Sequence, residues 1–445
     1  MQQKNKPNMM NTSTPYILAF DLGTTKIIGA VAQRTTEGKL RIVAYEEEET
    51  KPTTIKQGAI FNVADTAFII NSIVTKLRNK TELNLTKAYI GVGGRYLRCK
   101  DNRTKRTLGE NEIVGQDLLD KLHKENYKLQ STECDILDVI TQEYLVDDEW
   151  VSDPAGIACT QLEGRYKIIF TKGEINAGLN KVKELLKEKS QLDIIGIFPS
   201  PIATANGLIS EDEKDLGCMI IDFGASTTTF SVFTKLYLRE LGVIPLGGKT
   251  ITNDIRDLNL TDHQAERLKQ KLGNAMASLE IPDKRIIIAK AGYEQEEKSI
   301  QSSFLAQIIE SRATEILGFI IDPIKQKGYL KQLGAGIIIT GGGSQLTNMR
   351  SLVQSLTGVD VRSSIGTGKL VEESIPSDFK KATYSHIIGL LSMGTEDCTS
   401  EAIEKMIPVA KPVKKSKPSR NLISNMIEKT SAKLTGLFSD DSDTL

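Results

Sequence analysis

Two short segments of this chain place a carboxylate, a glycine and a set of hydroxyls in the same order. Asp21-Leu22-Gly23-Thr24-Thr25-Lys26 follows the apolar run 16–20, and Asp222-Phe223-Gly224-Ala225-Ser226-Thr227-Thr228-Thr229 follows Cys218-Met219-Ile220-Ile221. A third glycine segment, Gly341-Gly342-Gly343-Ser344, follows an Ile-rich run at 336–340 and precedes a helical pattern at 346–356. Glycine turns where other residues are strained and lets backbone N–H groups approach phosphate oxygens, so such loops suit a polyanion. The carboxylates cannot hold phosphate themselves. They can hold Mg²⁺, through water, and the cation bridges to the phosphates. Taken singly, an Asp-x-Gly after a strand reads as a β-turn. The same order twice, about 200 residues apart, predicts two related lobes closing on one nucleotide.

These segments need strands to hold them, and the flanking patterns supply them. Strands are predicted at 16–20, 27–33 and 40–47, with a helix at 63–77. After the second segment the plan repeats, with strands at 228–233 and 237–243. The two halves share a βββα plan, a duplication in structure rather than in obvious sequence. Between 87 and 169 the texture changes to a compact α+β module: a strand at 88–92, a polar loop carrying Arg95, Arg98, Arg103 and Arg106, a helix at 117–126, and strands at 136–144 and 166–170. A helix at 174–187, a strand at 193–198 and the segment 201–208 lead back to the second glycine loop.

Composition sets the outer limits. The chain has 445 residues, enough for about three domain-sized units, and 39% apolar residues, enough for sizeable cores. Lys plus Arg equals Asp plus Glu at 57 each, so no global field draws it to nucleic acid. Arg95, Arg98, Arg103, Lys105 and Arg106 are interleaved only with Tyr96 and followed by Glu110 and Glu112, which favours a solvated loop over a nucleic-acid patch. The opening residues are polar and no 18-residue uncharged apolar run occurs, which predicts a cytoplasmic protein. Cys99, Cys134, Cys159, Cys218 and Cys398 are scattered without a C-x-x-C pair, and His123, His263 and His386 are isolated, so neither a zinc site nor a disulfide framework is indicated.

The tail carries a second signal. Residues 407–420 hold three prolines and a run of bases, the composition of an extended tether. In the segment 421–438, Leu422, Ile423, Met426, Ile427, Leu434, Leu437 and Phe438 fall on one helical face, with Lys429 and Lys433 off it. Such a helix suits an anionic bilayer surface; docking on the protein or on a partner is the alternative.

The three glycine loops in this order resemble the actin, sugar-kinase and heat-shock-chaperone superfamily, whose two lobes clamp Mg-ATP. Within it the chain resembles the FtsA family of bacterial cell-division ATPases over residues 14–438, through the insertion with Ala88-Tyr89-Ile90-Gly91-Val92-Gly93-Gly94 and Val139-Ile140-Thr141-Gln142-Glu143-Tyr144, the segment Val243-Ile244-Pro245-Leu246-Gly247-Gly248, and the tail. The resemblance implies an actin-like two-lobed α/β ATPase fold, a duplicated βββαβαβα plan with an inserted α+β module and a C-terminal amphipathic helix. Its implied boundaries are 14–85, 173–209 and about 377–400 for the first lobe core, 86–172 for the module, 210–250 and 330–376 for the second lobe core, 251–329 for a small subdomain, 401–420 for the linker and 421–438 for the membrane helix.

By the same resemblance Gly23, Thr24, Thr25 and Lys26 line one side of a triphosphate and Gly224, Ala225, Ser226 and Thr227 the other, with Asp21 and Asp222 orienting the Mg²⁺ hydration shell. Gly342, Gly343 and Ser344 approach the purine and α-phosphate. Glu266 and Lys269, one helical turn apart, meet the ribose and adenine; without the family they read as a surface ion pair. The resemblance further implies ATP and Mg²⁺ as ligands, self-assembly into filaments, and anchoring of the FtsZ ring to the cytoplasmic face of the membrane at the septum, with later division proteins as partners and no nucleic acid. Arg312, on a helix expected at 308–321, is a candidate contact for the FtsZ C-terminal peptide. Ala225 and Thr229 stand where many relatives carry Gly and Asp, which narrows the backbone's approach to phosphate. The stretch Ile197-Phe198-Pro199-Ser200-Pro201 has no acid or base to activate water, which predicts slow or no hydrolysis. The alternatives are a sugar-type kinase of the same superfamily or another actin-like scaffold.

Overall fold

The computed structural model describes residues 14–129, 134–279, 282–288 and 298–400. The predicted linker at 401–420 and amphipathic helix at 421–438, with all of the membrane-facing residues, lie outside the described residues.

Strands Tyr16–Leu22, Lys26–Arg34 and Leu40–Glu49 form an antiparallel meander, and Lys87–Val92 and Asp193–Pro199 then add to its other edge in parallel. In the second half Cys218–Phe223, Thr228–Thr234 and Tyr237–Ile244 make the same meander, and Ile337–Thr340 and Val361–Ser363 add in parallel in the same way. The five strands therefore run in the same relative order in each half. The duplicated plan expected from sequence is present. Both central strands, Tyr16–Leu22 and Cys218–Phe223, are apolar on both faces because helices cover both sides.

Helix Val63–Thr81 shows how the covering layer is specified. Asn62 accepts from the backbone N–H of Asp65 at its start, and Glu82 in a left-handed conformation ends it. Ile70, Ile73, Val74 and Leu77 recur at helical spacing and are fully buried against the first sheet. The last described helix, Ser385–Met393, packs on this same sheet: its Ile387, Ile388, Leu390 and Leu391 join the first-lobe core. The backbone N–H of Cys398 donates to Tyr16 at 2.8 Å, and that of Thr86 donates to Cys398 at 2.9 Å.

The inserted module consists of strands Arg98–Ile113, Cys134–Val146, Glu149–Val151 and Ala158–Lys172 with helix Gln116–Tyr127. The polar loop expected around Arg98, Arg103 and Arg106 is in fact a 16-residue strand. Its charges are matched across the sheet and by the helix: Lys105 lies 3.0 Å from Glu163 and Lys167 2.6 Å from Asp101 on the neighbouring strand, and Arg106 pairs with Glu125 of the helix Gln116–Tyr127. Cross-strand pairing stabilises a strand that periodicity of apolar residues cannot reveal. Gly242 of the second sheet pairs with Arg98, so the module extends the second sheet although it interrupts the first half of the sequence.

Candidate nucleotide-binding site

The two Asp-Gly hairpins have the same local build. A Cβ on Gly23 would come within 2.5 Å of the Lys26 carbonyl oxygen, and one on Gly224 within 2.7 Å of that of Thr227. Each turn is thus tight enough to require glycine at the same point. The hairpins face each other, with the Thr24 and Ser226 hydroxyl oxygens 2.6 Å apart. Thr50 donates its hydroxyl to the Thr24 carbonyl at 2.6 Å, which steadies the first loop. The second is latched to helix Gly248–Arg256: the N–H groups of Gly248 and Lys249 donate to the carbonyls of Gly224 and Ala225 at 2.9 and 2.7 Å.

Asp21 and Asp222 end the two central strands, one from each lobe. A histidine that the sequence left isolated sits between them: His386 Nδ1 lies 2.8 Å from Asp21 Oδ1. Burial works against charging this ring, but the Asp21 carboxylate and, more weakly, Asp222 raise its pKa above the ordinary histidine value. Burial pushes Asp222 up to about 6, a rise that Asp21 adds to and His386 opposes; Thr204 Oγ1 stands 3.4 Å from its Oδ2. The ring fits because position 91, which pairs with Asp21 across the sheet, is glycine: a Cβ there would lie 2.5 Å from His386 Cε1. A glycine within an apolar strand was the one sequence signal for such a close approach.

The third glycine loop closes on the second carboxylate. Gly341 has φ 82°, and a Cβ on it would lie 2.2 Å from Asp222 Oδ1. A Cβ on Gly343 would lie 2.9 Å from that of Phe223. Ser344 donates its hydroxyl to the Gly341 carbonyl at 2.8 Å, so this side chain closes its own turn.

Glu266 and Lys269 are not a surface pair. Lys269 is buried and donates to Glu266 Oε2 at 2.8 Å, Thr252 Oγ1 at 2.7 Å and the Gly248 carbonyl at 2.8 Å. Burial opposes the ionised Glu266, but hydrogen bonds from Lys269 and Thr252 hold its carboxyl below the usual range. The pair ties helix Asp262–Leu272 to the turn that carries the second loop. Lys26 pairs with Glu47 on the neighbouring strand and lies 4.5 Å from the centre of the Tyr384 ring, so its charge is engaged beside the cleft. Arg312, on helix Ser302–Gln326, holds Asp254 through two N–H groups at 2.6 and 3.0 Å and also meets Glu315.

Comparison with known sequences accounts for the arrangement. The sequence model "Cell division protein FtsA" matches residues 219–389, which carry the second and third glycine loops. That for the "SHS2 domain inserted in FTSA" matches residues 94–170, the inserted module that interrupts the first half of the sequence. The chain belongs to the FtsA family. Cell division protein FtsA of Porphyromonas gingivalis is 26% identical over 402 residues, covering 88% of this chain and 80% of that one. The fold also matches two solved structures. One is the PilM-PilN type IV pilus biogenesis complex, with TM-score 0.54 at 14% identity, covering 84% of this chain and 97% of that one. The other is MreB5 of Spiroplasma citri bound to ADP, with TM-score 0.52 at 12% identity, covering 85% and 95%. At such low identity these likenesses concern the fold, which is that of the actin-like ATPases. Among the described residues, no helix is long and apolar enough to cross a membrane.

Proposed function

We propose that this FtsA-family chain binds Mg-ATP between its two hairpins, assembles into filaments in the closed state, and anchors the FtsZ ring to the cytoplasmic face of the membrane while recruiting later division proteins. The observation that carries the nucleotide reading is the meeting of Thr24 with Ser226 across the lobes, on hairpins whose strands also carry Asp21, bonded to His386, and Asp222, whose charge that ring feels. The residues suit the ligand: glycines at 23 and 224 keep both hairpins tight enough to turn backbone toward an anion, and Gly341 lets the third loop close on Asp222. A fold relative described as bound to ADP supports the same ligand class.

In this reading Gly23, Thr24 and Thr25 face the phosphates from the first lobe and Gly224, Ala225, Ser226 and Thr227 from the second, with Asp21 and Asp222 orienting the water shell of Mg²⁺. The cation supplies charge neutralisation. Gly342 and Gly343 offer backbone to the purine side. Glu266 and Lys269 shape the nucleoside end by holding the turn at Gly248, and Lys26 balances Glu47 at the edge of the first loop. The helix that begins at Ser200 carries no carboxylate, so ATP acts mainly as a conformational ligand with slow turnover.

The lobe, module and subdomain boundaries given above are proposed for this chain with the tail helix at 421–438 as the membrane contact. Arg312 stands in a surface depression of about 440 Å³ with Phe304, Ile308 and Glu315, a suitable seat for an apolar and charged peptide such as the FtsZ C-terminus. The assembly reading is tested on anionic lipid monolayers with and without Mg-ATP, using the full chain beside a truncation after Arg420. ATP-dependent filaments on lipid that vanish with the tail are expected. A soluble monomer that phosphorylates small metabolites would point to the kinase alternative.

A further inference from the structure

We propose that His386 is a positioning residue for the Asp21 carboxylate and thereby sets how strongly a divalent cation favours nucleotide binding. The inference rests on the Mg-ATP reading of the cleft. An ionised carboxylate has no hydrogen to give, so the 2.8 Å contact requires the hydrogen on His386 Nδ1. That bond engages Oδ1 of Asp21 and fixes the plane of the carboxylate, leaving Oδ2 to meet a hydrated cation. The contact spans 365 residues, and three features hold the ring in place. Gly91 leaves space against Cε1 and Nε2, which a Cβ would approach to 2.5 and 2.7 Å. The preceding residue, Ser385, is hydrogen-bonded to Thr340 of the second lobe at 2.6 Å. The rest of its own helix, through Ile387, Ile388, Leu390 and Leu391, is buried in the first-lobe core.

His386 Nε2 is buried and has no partner within hydrogen-bond reach among the described residues. A ring kept for stability alone gains nothing from burying a polar nitrogen unpaired. A ring whose other nitrogen orients a cation-facing carboxylate has a reason to be there, as outer-shell partners of metal ligands do.

The experiment measures equilibrium binding of ATP to the full chain in Mg²⁺ and in EDTA, for the wild type and for His386→Ala, His386→Asn and His386→Gln. Asn places an N–H near the position of Nδ1; Gln places it near Nε2. We expect Mg²⁺ to strengthen ATP binding to the wild type and His386→Asn, and this gain to fall by roughly tenfold or more in His386→Ala and His386→Gln, with metal-free affinity unchanged. Thermal unfolding in EDTA identifies variants that fail to fold; the Asn and Gln pair, similar in size, keeps the comparison decisive if the Ala variant does. A full Mg²⁺ gain in His386→Gln, or equal loss of metal-bound and metal-free binding in Asn and Gln, would overturn the positioning role alone. A wild type that binds ATP in neither condition would overturn the nucleotide reading beneath it.

Discussion

The hydroxyl oxygens of Thr24 and Ser226 lie 2.6 Å apart across 202 residues of sequence, joining the two phosphate-type hairpins by side chains. Each lobe therefore senses the other's loop directly. Thr24→Val and Ser226→Ala are each expected to weaken Mg-ATP binding. A double-mutant cycle in urea unfolding should give a coupling of about 1 kcal/mol. Strict additivity of the two substitutions would show that the hydroxyls do not meet in solution.

Gly341 and Gly358 make a matched pair, since both have positive φ, at 82° and 69°. At Gly358 an added Cβ meets nothing within 4 Å, whereas at Gly341 it meets Asp222 and Phe223. Gly358→Ala should cost about 1 kcal/mol from backbone strain and leave ATP binding intact. Gly341→Ala should cost more, roughly 2–4 kcal/mol, because overlap is added to strain, and should abolish ATP binding by displacing the Asp222 carboxylate. Denaturant titration and ATP binding of the two variants check this; equal effects would contradict it.

Asp222 gives a pH dependence of defined sign. Its pKa in the fold, about 6, lies above the ordinary 3.8, so between these values the native state binds more protons than the unfolded chain. Its favourable contribution is complete below pH 4 and is lost as pH rises through 6. Asp222→Asn should therefore melt at a higher temperature than the wild type at pH 7.5, by the equivalent of about 1–2 kcal/mol after solvent screening is allowed for. The difference should shrink toward pH 4, and the same variant should lose the Mg²⁺ enhancement of ATP binding. Melting curves at three pH values show the trend, and a variant less stable than wild type at pH 7.5 would refute it.

Lys269 is buried with three acceptors, so Lys269→Met strands Glu266 and releases the Gly248 turn. Because the Glu266 side chain left behind is 40% exposed, the expected loss is about 1–3 kcal/mol, with weaker ATP binding because Gly248 holds the Gly224 carbonyl. Lys269→Met with Glu266→Gln should recover part of the stability. Urea midpoints of the single and double variants measure this; no recovery would mean that the pair is not coupled.

Local signals in the sequence disclosed both hairpins and the duplicated sheet order, because a strand, an Asp and a Gly turn are neighbours along the chain. The strand Arg98–Ile113 has the polar pattern of a loop because its stability comes from charge pairs such as Lys105 with Glu163, whose partners lie far along the chain. Lys269 resembled a surface cation because its spacing from Glu266 shows a pairing but not the depth at which it sits. His386 was invisible for the same reason: its partner, Asp21, is brought to it by the last described helix folding back on the first sheet. Gly91 held the corresponding hint, a missing side chain where a ring had to fit.

The most direct measurement is calorimetric titration of the full chain with Mg-ATP, repeated on Gly23→Val and Gly224→Val, which block the same turn in opposite lobes. One nucleotide bound per chain, with binding lost in either variant, is the result expected if both hairpins grip one ligand. No binding by the wild type, or undiminished binding after either turn is blocked, would contradict the two-lobed clamp.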